Sequence, residues 1–143
     1  MGILNLEFAY NTTKVATVLD AWQWSKDPFL NSCGLECDAI LNTYFDFIFL
    51  FFYSGFLFLA CKKIAAKTAG SFSKAGKLFA KGALLAGILD ILENIGMLLS
   101  LSNHGSSTVA FCTTFASVIK WVLALVALLY VISGGLALLF RKS

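Results

Sequence analysis

The sequence has little charge, one proline and one histidine. Only 13% of its 143 residues are charged, 59% are hydrophobic, and the mean hydropathy is +0.81. A typical soluble domain carries about 25% charged residues, so these values exclude an ordinary soluble protein and predict an integral membrane protein. The single proline, Pro28, precedes the long apolar stretches, so no proline interrupts them as helices.

The sequence also lacks the motifs on which several activities depend. It has no phosphate-binding glycine loop, no Cys-x-x-Cys pair and no serine or cysteine nucleophile motif. Its one histidine, His104, lies in a polar turn rather than in an apolar segment. Acidic and amide oxygens would suit magnesium or calcium, but no histidine accompanies them, and we predict no metal site. The sequence therefore identifies no catalytic residue and predicts no cofactor.

Three apolar segments are long enough to cross a bilayer, for which a helix needs about 20 residues. We predict spans at residues 42–64, 80–101 and 111–140. The last segment is interrupted only by Lys120 and is too short to hold two spans and a turn. The predicted fold is therefore all-α, a membrane-spanning bundle of three transmembrane helices within residues 42–143.

Residues 1–41 are predicted to stay outside the membrane and to contain an outer amphipathic helix at about 13–24. Apolar residues recur there at three- and four-residue spacing. Trp22 and Trp24 at its end are typical of a helix that lies on the membrane surface or covers the bundle. Before it, apolar and polar residues alternate from Leu4 to Tyr10, which favours an extended strand. Three cysteines expected on this side leave the disulfide pairing open: Cys33, Cys37 and Cys112.

Basic residues cluster beside the predicted spans. Six of the eleven lie within residues 62–81, from the end of the first span to the beginning of the second, in a segment with no acid: Lys62, Lys63, Lys67, Lys74, Lys77 and Lys81. The positive-inside rule places this segment in the cytoplasm, with the N-terminus outside and the C-terminus inside, as in a bacterial inner membrane. Gly70, Ser71, Ser73 and Gly76 favour a flexible loop, whereas Phe72, Leu78 and Phe79 could make its second half an interfacial helix that leads into the next span. In either case we expect its lysines to contact anionic lipid headgroups. No accompanying motif indicates nucleic acid.

Polar residues in the middle of the second span are the strongest functional signal. Asp90, Glu93 and Asn94 share one helical face. Ionisable groups are costly to bury in a bilayer, so they normally turn towards a partner or a wet cavity. On the side leading to Asp90, Ala83 and Gly87 form a small-residue spacing that lets another helix approach closely.

Polar residues of the other two spans reach a similar depth, if each residue rises about 1.5 Å along a helix. We therefore predict one polar cluster beneath the outer surface, made of Asp46, Tyr53, Asp90, Glu93, Asn94 and Lys120. Asp46 and Lys120 are placed near the outer boundary. Three carboxyl groups then face one ammonium, so we expect one of them, first of all Asp90, to be neutralised by a proton, a cation or a basic partner group.

Two functions fit this cluster. The first is an accessory or assembly subunit of a membrane complex, or a homo-oligomer, in which polar residues hold helices together. The alternative is a membrane enzyme or transporter component that uses the cluster on a lipid, a quinone or an ion. The aromatic stretch Phe47–Phe58 either faces bulk lipid or stacks on a bound lipid, quinone, carotenoid or sterol.

Three features together resemble small bacterial integral membrane proteins of unassigned function. They are the outer amphipathic helix ending in tryptophan, the segment Tyr44-Phe-Asp46 with Tyr53, and the segment Leu89-Asp90-Ile-Leu-Glu93-Asn94. The resemblance covers most of the chain and implies a multi-span membrane protein. Because that group has no known activity, the resemblance assigns no role to any residue.

Overall fold

The computed structural model describes residues 3–23, 35–102 and 106–140. These residues form five helices and no strand: α1 (Ile3–Glu7), α2 (Thr12–Gln23), α3 (Leu35–Lys67), α4 (Gly70–Leu101) and α5 (Ser107–Phe140). Three helical segments are long and apolar enough to cross a membrane: Ala39–Lys67, Gly70–Leu101 and Ser107–Phe140. Within the described residues, the predicted all-α fold with three potential spans is therefore confirmed.

Some predictions fall on residues outside this description. They concern Trp24, Pro28, Cys33 and His104, and the side chains of Trp22 and Cys37. Cys112, the remaining cysteine of the open disulfide pairing, is exposed on α5. The disulfide pairing therefore stays a prediction.

The N-terminal residues form a short helix, so the strand predicted from Leu4 to Tyr10 is wrong. Leu6 and Ala9 are only 3% and 2% exposed, whereas Leu4 and Phe8 are exposed. Burial thus follows a helical spacing instead of the two-residue alternation of the sequence. A lone strand would leave its backbone groups without partners, whereas a helical turn bonds them to one another; Phe8 N donates to Leu4 O at 3.2 Å.

The link between α3 and α4 is much shorter than predicted. Only Thr68 and Ala69 separate the two helices, so the flexible loop expected over residues 62–81 is wrong, and its lysines lie on helices. The alternative, a helical second half of this segment, agrees with α4. The chain reverses at Gly70, whose φ of +65° is a left-handed conformation that favours glycine. α4 therefore begins well before the predicted start of the second span at residue 80.

Hydroxyl side chains donate hydrogen bonds to the last carbonyl groups of α3, which have no backbone amide donor within the helix. Thr68 Oγ1 donates to the Ile64 carbonyl at 3.0 Å. Ser73 Oγ, from the first turn of α4, donates to the Ala65 carbonyl at 2.7 Å. These bonds explain how a segment rich in glycine and serine makes a tight helical connection.

The chain divides into two compact units. Unit 1 comprises Met1–Phe49 and Asp90–Val118, and unit 2 comprises Leu50–Leu89 and Ile119–Ser143. Unit 1 contains α1, α2, the beginning of α3, the end of α4 and the beginning of α5. Unit 2 contains the remaining parts of the three long helices.

The apolar core of unit 1 includes one face of α2. All five helices contribute to this core, together with the segment between α1 and α2. Its buried residues are Leu6, Ala9, Val15, Val18, Ala39, Met97 and Ala110. Asn11 caps α2, because its Oδ1 accepts a hydrogen bond from Lys14 N at 2.8 Å. The amphipathic helix predicted at about 13–24 is confirmed as Thr12–Gln23, and it covers Met97 of α4 and Ala110 of α5.

The core of unit 2 packs small residues of three helices around Tyr130. Its buried members are Leu57, Cys61, Ile64, Ala80, Ala83, Ala127 and Tyr130. Tyr130 OH donates to the Phe72 carbonyl at 3.2 Å, and the two rings stack with centroids 4.6 Å apart. A Cβ at Gly76 would overlap the Tyr130 side chain, and one at Gly134 would lie 2.5 Å from Ile64 Cγ2. These contacts fix the register of α5 against α3 and α4 in this unit.

The same register continues towards the beginning of α5. Leu123 Cδ2 lies 3.5 Å from the position of a Cβ at Gly82. Because α4 and α5 run in opposite directions here, Lys120, about 4.5 Å further along α5, lies past Gly82 in the direction of Leu89. These contacts do not test the predicted place of Lys120 near the outer boundary of the membrane, which stays a prediction.

Candidate functional site

The polar residues of α4 lie on its buried face. Asp90, Glu93 and Asn94 are 2%, 0% and 0% exposed, whereas Leu92 and Ile95 between and beside them are exposed. The three- and four-residue spacing of a helix puts the three polar side chains on one side and the apolar ones on the other. The end of α4 in unit 1 is therefore an apolar helix with an enclosed polar face.

α3 reaches this face through Asp46. Asn94 Nδ2 donates a hydrogen bond to Asp46 Oδ2 at 2.9 Å, and Asp46 is half-buried. The structure thus brings four of the six residues of the predicted cluster into unit 1. Asn42, one turn before Asp46 on α3, is exposed, while its neighbour Thr43 is buried and donates to the Ala39 carbonyl at 2.8 Å.

The other two residues of the predicted cluster, Tyr53 and Lys120, belong to unit 2. Tyr53 is half-buried against the apolar core of that unit. Lys120 is only 7% exposed, and its Nζ lies 5.7 Å from the centroid of the Trp121 ring. An ammonium at this distance from an indole face is attracted by the ring quadrupole, so the aromatic ring is one of the groups that stabilise this lysine.

Ala83 and Gly87, the small residues predicted to let another helix approach α4, face α3 within unit 2. Ala83 is fully buried, and a Cβ at Gly87 would lie 2.9 Å from both Cβ and Oγ of Ser54. Only glycine fits at this position without moving α3, which is how small residues let membrane helices approach. Ser54 Oγ donates to the Leu50 carbonyl at 2.6 Å, so its hydroxyl is satisfied in apolar surroundings.

Glu7 is a buried acid of unit 1 that was not recognised from the sequence. It is 8% exposed, its Oε2 accepts from Ser117 Oγ at 3.4 Å, and its backbone carbonyl accepts from Thr114 Oγ1 at 2.9 Å. These two contacts attach α1 to α5. The sequence contained a signal, because Thr114 and Ser117 are three positions apart and put two hydroxyl groups on one side of a largely apolar helix.

A cavity of about 150 Å³ lies under α2 in unit 1. Its walls combine apolar side chains with hydroxyl groups: Thr12, Val15, Ala16, Leu19, Ser100, Ser106 and Ala110. No charged side chain lines it, and the enclosed polar residues of α4 do not contribute to it. The cavity is therefore separate from the polar face.

The two units differ completely in the charge that their sequences contain. All eight acidic residues of the chain belong to unit 1, together with two lysines, Lys14 and Lys26. Unit 2 contains nine basic residues and no acid. Six of these basic residues are exposed on α3 and α4: Lys62, Lys63, Lys67, Lys74, Lys77 and Lys81. Unit 2 therefore presents a strongly cationic surface.

Known proteins add no assignment to this geometry. Among the described residues, no group of three or more histidine, cysteine or acidic side chains is placed to hold a metal ion. Comparison with protein-family models, with curated proteins and with solved structures found no match. The resemblance to small bacterial membrane proteins of unassigned function therefore stays a prediction.

Proposed function

We propose that this chain is a small integral membrane protein that acts by interaction, as an accessory or assembly subunit of a larger complex or as a homo-oligomer. The observation that supports this most is the enclosure of the polar face of α4. Asp90, Glu93 and Asn94 are at most 2% exposed, so a substrate has no access to them in this conformation. Enclosed polar residues commonly hold membrane helices together.

The outer surface of the long helices suits lipid or other membrane helices. On α3, four phenylalanines that recur at helical spacing are each more than 60% exposed: Phe45, Phe49, Phe52 and Phe56. In a bilayer such a stripe contacts acyl chains or a neighbouring subunit. Acyl chains are as apolar as phenylalanine, so the hydrophobic effect does not drive these side chains into the protein interior. A bound lipid, quinone or carotenoid is the ligand that this stripe would accept.

The charge of unit 2 supports an orientation in the membrane. Its exposed lysines lie on either side of the short turn at Thr68 and Ala69. The positive-inside rule then puts this turn and the C-terminus in the cytoplasm and the N-terminus outside. We propose the bacterial inner membrane as the location, with the lysines close to anionic headgroups.

Native mass spectrometry of the protein extracted with its lipids tests the assembly. We expect a mass larger than the monomer, from several copies or from copurified subunits; a bare monomer under mild extraction would contradict the proposal. Glu93→Leu should lower the yield of the assembled form, because it removes a buried polar group. The matched control is Phe49→Leu on an exposed position of α3, and equal tolerance of both variants would count against the polar face.

One observation favours the alternative, a membrane enzyme or transporter component acting on a lipid, a quinone or an ion. Asp46 is half-buried and bonded to the fully buried Asn94, which gives the enclosed face a polar link towards the surface. A hydrophobic carbodiimide, which modifies protonated carboxyl groups within bilayers, separates the two functions. Modification of Asp90 or Glu93, located by peptide mass spectrometry, would favour the alternative; unmodified carboxyls are expected for an assembly role.

A further inference from the structure

The register of α5 in unit 2 brings an apolar helix face to the level of the lysines. Tyr130 stacks on Phe72 and lies against Gly76, and Gly134 packs against Ile64. These partners all belong to the lysine-bearing segment of residues 62–81. The part of α5 that surrounds Tyr130 therefore runs beside that segment and not above it.

α5 presents a continuous apolar stripe to its surroundings along this part. Five side chains between 41% and 64% exposed form it, and we refer to them as the α5 stripe: Leu125, Leu128, Leu129, Ile132 and Leu136. Their three- and four-residue spacing puts them on one face of the helix. A face of this kind is stable beside acyl chains and costly in water.

The neighbouring surface of α3 and α4 is cationic at the same level. Its six exposed lysines have no acidic residue in unit 2 to offset them. Like charges on one surface repel each other and attract anions. The stem of each lysine can carry its ammonium several ångströms along the helix, so all six can reach one layer of headgroups.

We infer that unit 2 binds an anionic phospholipid, with its phosphate at the lysines and its acyl chains against the α5 stripe. Phospholipid joins both chemistries in one molecule, since a negative headgroup adjoins long apolar chains. An acidic soluble protein would match the lysines but would leave the stripe uncovered. The inference rests on the proposed membrane location and names a lipid partner for it.

Retention of lipid by the full chain tests this inference. The protein is equilibrated in mixed micelles with phosphatidylglycerol or phosphatidylcholine, and native mass spectrometry counts the lipids that stay bound. We expect phosphatidylglycerol to be retained in preference, and the triple variant Lys74→Gln, Lys77→Gln, Lys81→Gln to lower its retention by about tenfold. Equal retention of both lipids, or no loss in the triple variant, would overturn the inference.

Single variants and competitors identify the source of the anion. Lys77→Gln should weaken retention, whereas Lys14→Gln, an exposed lysine of unit 1, should not. Water-soluble glycerol phosphate and an acidic peptide should not displace the lipid, because neither covers the α5 stripe. Displacement by glycerol phosphate would show that the lysines bind phosphate alone, and displacement by the peptide would show that they bind an acidic protein; either result would overturn the inference. The same spectra give the oligomeric mass, so an assembled protein without lipid contradicts this inference alone, and a lipid-bound monomer contradicts the proposed assembly alone.

Discussion

Asn94 and Asp46, which are 48 positions apart in the chain, are joined by a hydrogen bond of 2.9 Å from Nδ2 to Oδ2. It ties α4 to α3 inside unit 1, where Asn94 shares the enclosed polar face of α4 with Asp90 and Glu93. Because Asn94 is fully buried, water does not reach its amide, and the bond restricts how the two helices can rotate about their axes.

Replacing Asn94 by Leu should destabilise the protein by about 0.5–2 kcal/mol, the range measured for hydrogen bonds between membrane helices. The loss arises because Asp46 keeps its position near α4 but no longer accepts the hydrogen bond from Asn94. Equilibrium unfolding in mixed micelles measures it. Asn42→Leu is the control, since Asn42 lies one turn from Asp46 on α3 and is exposed; a control that is equally destabilising would show that the hydrogen bond is not the cause.

Replacing Gly87 by Val should separate α3 from α4 in unit 2. The new side chain would meet Ser54, which lies 2.9 Å from the position of the added Cβ. Overpacking of this kind costs about 1–3 kcal/mol, and the same unfolding measurement reports it. Gly55→Val is the matched control, because a Cβ there meets nothing within 4 Å.

A compensating pair tests the same contact from the other side. Combining Gly87→Ala with Ser54→Gly should restore most of the stability that Gly87→Ala loses, because the atoms that clash are removed. Failure of this rescue would mean that Gly87 matters for a reason other than its approach to Ser54.

Replacing Glu7 by Ala should loosen α1 from α5. The variant loses the contact with Ser117 Oγ and leaves a polar residue of α5 in apolar surroundings. We expect backbone amides of residues 4–9 to exchange hydrogen about tenfold faster, which corresponds to about 1.4 kcal/mol of lost local stability. Hydrogen exchange followed by mass spectrometry measures this. Asp20→Ala, at an exposed acid of α2, should leave exchange in α1 unchanged.

Replacing Asn11 by Ala should destabilise α2 by about 1 kcal/mol, because Lys14 N loses the capping acceptor that now lies 2.8 Å away. The first turn of α2 should then exchange its amides faster, while α4 stays protected. Thr17→Ala removes a hydroxyl that bonds the Thr13 carbonyl within the helix. It should have little effect, and a similar effect of both variants would argue against capping.

The hydropathy of the chain predicted the helical class and the three long helices. An uninterrupted apolar segment in a bilayer must satisfy its backbone hydrogen bonds internally, which a helix does. Turn chemistry was harder to predict. Glycine and serine between residues 68 and 76 indicated a flexible loop, yet Thr68 and Ser73 close the end of α3 and permit a tight turn. Leu4 to Tyr10 suggested a strand because short alternation is ambiguous until a partner is known.

The candidate site was predicted in part. The spacing of Asp90, Glu93 and Asn94 correctly indicated one face, and depth along the helices put Asp46 near Asn94. The depth of Lys120 stays a prediction, because α5 is apolar over more residues than a membrane needs and hydropathy alone does not fix its position along the membrane normal. Only specific contacts such as that of Tyr130 with Gly76 select the register.

The two-residue turn at Thr68 and Ala69 has a consequence for biosynthesis. Helices joined so closely have no spare chain between them, so we expect α3 and α4 to pair as one hairpin. Contacts near such a turn link residues that are close in sequence and form quickly. We then expect α5 to find its register on this hairpin through the contacts of Tyr130 with Phe72 and Gly76.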